Sequence, residues 1–121
     1  MSKRILVVDD EPELTKIVQV RLAANGYEVV SAKNGIEALE KAKTERPNLI
    51  LLDMMMPRMH GLDTLRRLKE KPETEPIPVI MLTAKDDKES ILEAKSLGAK
   101  DYVTKPFNLE ALLDAVRKHL P

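Results

Sequence analysis

Three stretches of the chain carry apolar residues without alternation: Ile5-Leu6-Val7-Val8, Leu49-Ile50-Leu51-Leu52 and Val79-Ile80-Met81-Leu82. A short unbroken apolar run bounded by polar or proline residues reads as a strand buried on both faces. Two further stretches, Tyr27-Glu28-Val29-Val30-Ser31 and Asp101-Tyr102-Val103, are mixed or short, as edge strands are. Helical spacing fills the gaps between them. Pro12 suits a first turn, after which Leu14, Ile17, Val18 and Leu22 are expected on one inward face, ending at Asn25-Gly26. Asn34 with Glu37 resembles a capping box that opens a helix with Leu39 and Ala42 inward, and Glu45-Arg46-Pro47 ends it. Gly61 precedes a helix with Leu62, Leu65 and Leu68 at helical spacing, and a surface loop runs over residues 71–78. Residues 86–97 predict a more polar helix closed by Gly98. Asn108 caps a last helix carrying Leu109, Leu112, Leu113, Val116 and Leu120.

Strands and helices thus alternate five times along the chain. That pattern predicts a single doubly wound α/β domain over residues 1–121, with a parallel sheet, right-handed crossovers and helices on both faces. The unalternating strands belong in the middle and the mixed or short ones at the edges. The order 2-1-3-4-5, the flavodoxin-like one, satisfies this and puts the topological switch point between the first and third strands. There is no internal repeat, low-complexity segment or linker.

Charge and composition narrow the function classes. The chain has 20 basic and 20 acidic residues among 121, so no polyanion-binding surface is implied. It has no cysteine, which excludes disulfides, thiolate metal sites and a cysteine nucleophile. Tyr27, Tyr102 and Phe107 are its aromatic residues, too few for a base-stacking nucleic-acid surface. No apolar run has the length of a membrane span, and the start is too short in apolar residues for a signal peptide. A cytoplasmic protein that binds neither nucleic acid nor membrane is the expectation.

A parallel sheet puts every strand's C-terminus at one edge. The residues leaving those ends are Asp9 and Asp10, Asp53, Thr83 and Lys105. Taken singly, Asp9-Asp10 and Thr83 could be helix caps, Lys105 a solvated lysine, and Met54, Met55 and Met56 packing residues. Taken together they are harder to explain as structure, because clustered carboxylates repel one another. A divalent cation removes the repulsion. Oxygen donors without His or Cys select a hard ion, Mg²⁺ with several waters retained. A metal beside a carboxylate, with a hydroxyl and an ammonium nearby, suits phosphoryl chemistry with the aspartate as nucleophile. No G-x-x-x-x-G-K-[ST] loop is present, so a bound nucleotide is not expected.

The motifs Val7-Val8-Asp9-Asp10-Glu11, Asp53-Met54-Met55-Met56-Pro57 with Gly61, Leu82-Thr83-Ala84, Gly98-Ala99, and Tyr102 with Lys105-Pro106-Phe107 resemble in combination the receiver domain of two-component response regulators, from Ile5 to about Leu120. The resemblance implies that Asp53 accepts a phosphoryl group from a phosphohistidine on a sensor histidine kinase or phosphotransfer protein. It implies that Asp10, Asp53 and the Met55 backbone carbonyl ligate Mg²⁺, with Asp9 acting through a metal-bound water. It also implies a cis peptide between Lys105 and Pro106. Thr83 and Tyr102 become a switch pair that repacks the surface of the fourth helix, fifth strand and fifth helix for a downstream protein or output domain. Met55 and Lys85 would flank the phosphoryl group and set its lifetime. His60 stands where an aspartate is frequent and is read as a surface substitution. Glu93, Lys100 and Ala111 occupy positions that carry interface charges in DNA-binding relatives, a departure that counts against the dimer typical of that subfamily; a monomer or a phosphorylation-dependent homodimer is expected.

Two other readings share part of this pattern. Haloacid-dehalogenase-type phosphatases share the strand-end nucleophile, Mg²⁺, hydroxyl and lysine, but place a general acid–base aspartate two residues after the nucleophile. That position is Met55, which has no proton to exchange. A degenerate receiver acting only as an interaction module predicts loss of a site residue, and none is lost.

Overall fold

The computed structural model describes residues 3–54, 60–84, 87–105 and 108–120. Its strands are β1 (Arg4–Val8), β2 (Glu28–Ala32), β3 (Leu49–Asp53), β4 (Val79–Ala84) and β5 (Asp101–Lys105). The helices between and after them are α1 (Pro12–Ala24), α2 (Gly35–Glu45), α3 (Gly61–Glu70), α4 (Lys88–Ser96) and α5 (Leu109–His119). All strand pairs are parallel and the order is β2-β1-β3-β4-β5, as the pattern predicts.

The unbroken apolar strands feed two cores by simple alternation. Leu6, Val8, Ile50, Leu52, Val79 and Met81 face Ala38 and Ala42 of α2, Leu65 and Leu68 of α3, and Ala94 of α4. Ile5, Val7, Leu49, Leu51, Ile80 and Leu82 face Val18 and Leu22 of α1 with Leu112, Leu113 and Val116 of α5. Every residue of β3 is buried, whereas β2 is only partly covered, as befits an edge. Asn34, Asp87 and Asn108 each cap a helix by accepting a backbone N–H three residues on.

The structure departs from the sequence expectations at several local points. Ile17 is 53% exposed. The buried residues of α1 are Val18 and Leu22, with Leu14 packed beside them; these lie four apart, and Ile17 falls a full 100° step off that line. His60 is more than a surface substitution: it is the N-cap of α3, and its Nδ1 accepts the Leu62 N–H at 3.4 Å. Gly61 accordingly is the first residue of that helix, and α4 begins at Lys88. Strand β5 runs on to Lys105, because pairing with β4 continues through Thr83↔Thr104 and Ala84↔Lys105. Helix α2 ends as expected, at Glu45, and its C-cap Arg46 takes a left-handed backbone at φ 47° immediately before Pro47.

Candidate functional site

The alternation that fills the core also builds the site. Continuing Ile5-Val7 by two residues reaches Asp9, continuing Leu49-Leu51 reaches Asp53, and continuing Val103 reaches Lys105. All three therefore leave the sheet on the α1/α5 side, from strand ends that the parallel register holds level. Their side chains meet there. Lys105 Nζ lies 3.0 Å from Asp9 Oδ2 and 3.3 Å from Asp53 Oδ2, and 3.6 Å from Glu11 Oε1.

Both aspartates are buried, each 3% exposed, so these are not solvated surface pairs. The backbone fixes them. Asp9 N–H donates to the Ala32 carbonyl at 3.1 Å, and Met54 N–H donates to the Leu82 carbonyl at 2.8 Å. Asp9 does two tasks: its Oδ1 accepts the Glu11 N–H at 2.9 Å while its Oδ2 takes the lysine. The first contact closes a local turn ahead of α1 and does not cap the helix, so the capping reading of Asp9 gives way to the charge-pairing one. Glu11, the N-cap residue of α1, makes no side-chain cap. It is the acidic neighbour that sequence reading left out; the run Asp9-Asp10-Glu11 was the available signal.

Burial alone would push the Lys105 ammonium toward lower pKa. The hydrogen bond to Asp9 and the charges of Asp53 and Asp9 outweigh it, and the group titrates above the ordinary lysine range. Lys105 is a fixed cation at any physiological pH.

Asp10 is exposed, yet carboxylate oxygens of Asp9, Asp10 and Asp53 all lie within 4.8 Å of one another. Among the described residues three carboxylates thus cluster here, and the Lys105 ammonium meets two of them together with that of Glu11. The donors are all oxygen, and one of the three sits at the solvent edge where an ion can enter with its water. These residues fit a hard divalent cation such as Mg²⁺.

Gly61 matters to the same corner. Its N–H donates to the Met54 carbonyl at 3.1 Å. A Cβ added there would sit 2.5 Å from the Asp53 carbonyl oxygen and 2.7 Å from Met54 Cα. Only glycine lets the start of α3 press this closely against the end of β3.

Thr83 and Tyr102 belong to the opposite pleat. Thr83 follows Met81 by two residues, and Met81 is the sheet partner of Tyr102. Thr83 is 1% exposed, whereas Tyr102 is 38% exposed with Lys95 Nζ 5.1 Å from the centre of its ring. Met55, Met56 and Lys85, and the Lys105–Pro106 peptide, lie outside the described residues; Met54 is fully buried, as a packing residue should be.

Comparison with known proteins bears on what this arrangement is. The family model for the response regulator receiver domain matches residues 5–117. The sporulation initiation phosphotransferase F of Bacillus subtilis is 40% identical over 121 residues, covering all of this chain and 96% of that protein. The alkaline phosphatase synthesis transcriptional regulatory protein PhoP of the same organism is 44% identical over 108 residues, covering 89% of this chain and 44% of PhoP. The chain thus spans about half the length of several curated relatives it matches. Among solved structures, the chemotaxis response regulator CheY4 of Vibrio cholerae superposes with TM-score 0.93 at 34% identity, covering 99% of this chain and 100% of that one. The receiver domain of a Pseudomonas aeruginosa sensor histidine kinase, described with a magnesium ion coordinated in its active-site cleft, gives TM-score 0.88 at 27% identity over 98% of this chain and 97% of that one. Matched across nearly its whole length in sequence and in fold, this chain belongs to the response regulator receiver domain family of two-component signalling.

Proposed function

We propose that the domain is a phosphorylation-activated switch in which Asp53 is the phosphoacceptor. An Asp53 carboxylate oxygen would attack the phosphorus of a phosphohistidine on a sensor kinase or phosphotransfer protein. The P–N bond breaks, the imidazole leaves and takes up a proton, and an acyl phosphate remains on Asp53. Magnesium held by Asp10, Asp53 and the Met55 carbonyl, with Asp9 behind a water, would neutralise the transferring oxygens. The observation that carries the reading is Lys105, whose ammonium already touches both Asp9 and Asp53 and is held charged. It stands where it can move its charge onto a phosphoryl group attached to Asp53. With Met55 two residues on, the chain offers no general base at that position, so the acyl phosphate persists as a signal rather than turning over.

Signalling then passes through the other pleat. Thr83 would donate its hydroxyl to the phosphoryl group, and the Tyr102 ring would turn inward behind it. The output is a repacked surface of α4, β5 and α5 that docks a downstream protein or an attached output domain. Moving a population from 1:99 to 99:1 takes about 5.5 kcal/mol. Charge-assisted hydrogen bonds of about 1.5–3 kcal/mol each from Thr83 and Lys105 are of the size required. Among the described residues no helix is long and apolar enough to cross a membrane, and we assign the domain to the cytoplasm, as a monomer or a phosphorylation-dependent homodimer that binds no nucleic acid itself. The test is Mg²⁺-dependent labelling by a small phosphodonor such as acetyl phosphate. Wild type should label and Asp53→Asn should not; full labelling of Asp53→Asn would refute the assignment.

A further inference from the structure

Tyr102 occupies an outward position that something holds. Its ring is 38% exposed on β5, and the Lys95 ammonium stands 5.1 Å from the ring centre. Lys95 lies in the last turn of α4, where the helix dipole favours a cation. That helix is thinly attached. Ala94 is its buried residue, against three in α5. Among the described residues a cation–π contact thus ties the last turn of this helix to β5. The pleat also places Tyr102 with Met81 and Thr83, facing the α4 side of the sheet, so the contact lies on the route by which Thr83 would reach the surface.

We propose that Lys95 is a latch that holds Tyr102 in the outward, inactive arrangement, and that its positive charge sets how readily the domain switches. The inference rests on the Thr83/Tyr102 switch reading above and adds the element that opposes it. An inward-turned ring leaves the ammonium behind, so the contact exists in one state only and biases the equilibrium toward that state. An exposed cation–π contact corresponds to roughly a two- to five-fold population shift. Loss of the charge should relax the switch by that factor while leaving the carboxylate cluster untouched.

The chain's two tyrosines make the test direct. Protein labelled with 3-fluorotyrosine gives two ¹⁹F signals, and Tyr27→Phe assigns them. Wild type, Lys95→Met and Lys95→Arg are titrated with the phosphoryl mimic beryllium trifluoride in Mg²⁺. Lys95→Met should move the resting Tyr102 signal toward its mimic-bound position and bind the mimic two- to five-fold more tightly. Lys95→Arg, which keeps a cation over the ring, should match wild type. A wild-type Tyr102 that responds to the mimic while Lys95→Met behaves identically would overturn the latch and leave the switch reading standing. A wild-type Tyr102 signal indifferent to the mimic would remove the switch reading and the latch with it.

Discussion

Replacing Lys105 by methionine keeps the aliphatic stem and deletes the charge. In the wild type that charge sits 3.0 Å from Asp9 and 3.3 Å from Asp53, whose side chains are 1% and 4% exposed. At an effective dielectric of about 20, each contact is a gross attraction of about 5 kcal/mol. Much of this is offset by the cost of taking three charges out of water. Removing one partner from a buried ion pair typically costs about 3–5 kcal/mol, because the remaining charges stay buried and uncompensated. The lysine side chain keeps 22% of its surface in water, which screens the pair. We therefore expect Lys105→Met to lose about 2–4 kcal/mol in urea denaturation at pH 8 in EDTA. Adding Mg²⁺ should narrow the gap, since the ion becomes the cluster's compensating charge and stabilises only the folded state. The pH dependence has a definite sign. A lysine whose pKa is raised on folding contributes stability fully below its unfolded value of about 10.4, and loses it as pH rises through the higher folded value. The difference between the two proteins should be flat from neutral pH to about 9 and shrink above 10. A loss below about 0.5 kcal/mol, the range of an exposed pair, would refute the claim that this lysine holds the cluster together.

Two further outcomes test the corner around β3. Gly61→Ala should cost about 1–3 kcal/mol in the same denaturation assay and slow labelling by a small phosphodonor, because its Cβ would meet backbone of Asp53 and Met54 rather than a side chain able to move. Unchanged stability there would show that α3 can retreat freely from the strand end. Met55→Asn should shorten the lifetime of the acyl phosphate, followed as loss of label after donor removal, by admitting and orienting the attacking water; an unchanged lifetime would remove Met55 as a residue that sets it.

The parts of the fold that sequence made legible are those governed by one-dimensional rules. The unbroken runs 5–8, 49–52 and 79–82 are buried on both faces because only central strands meet two helical layers, so their composition states their place. The caps at Asn34 and Asn108 are equally local. The strand-end cluster follows from these, since parallel strands deliver Asp9, Asp53 and Lys105 to one edge. What was not legible depends on proximity. Ile17 reads as core by its residue type, but the line Leu14-Val18-Leu22 already fills the inward stripe of α1. Nothing in the sequence around Gly61 says that Asp53 backbone will lie against it. The Lys95–Tyr102 contact joins two elements whose separation is set by the docking of α4, which no local pattern records.

The proposed site needs acidic groups from two strand ends to share one divalent ion next to a nucleophilic oxygen. Anomalous diffraction from crystals of the protein soaked in Mn²⁺ reads this directly. One strong peak is expected in contact with carboxylate oxygens of both Asp10 and Asp53, and none in crystals of Asp10→Asn. A map in which Asp10 turns to solvent and no peak touches Asp53 would contradict it.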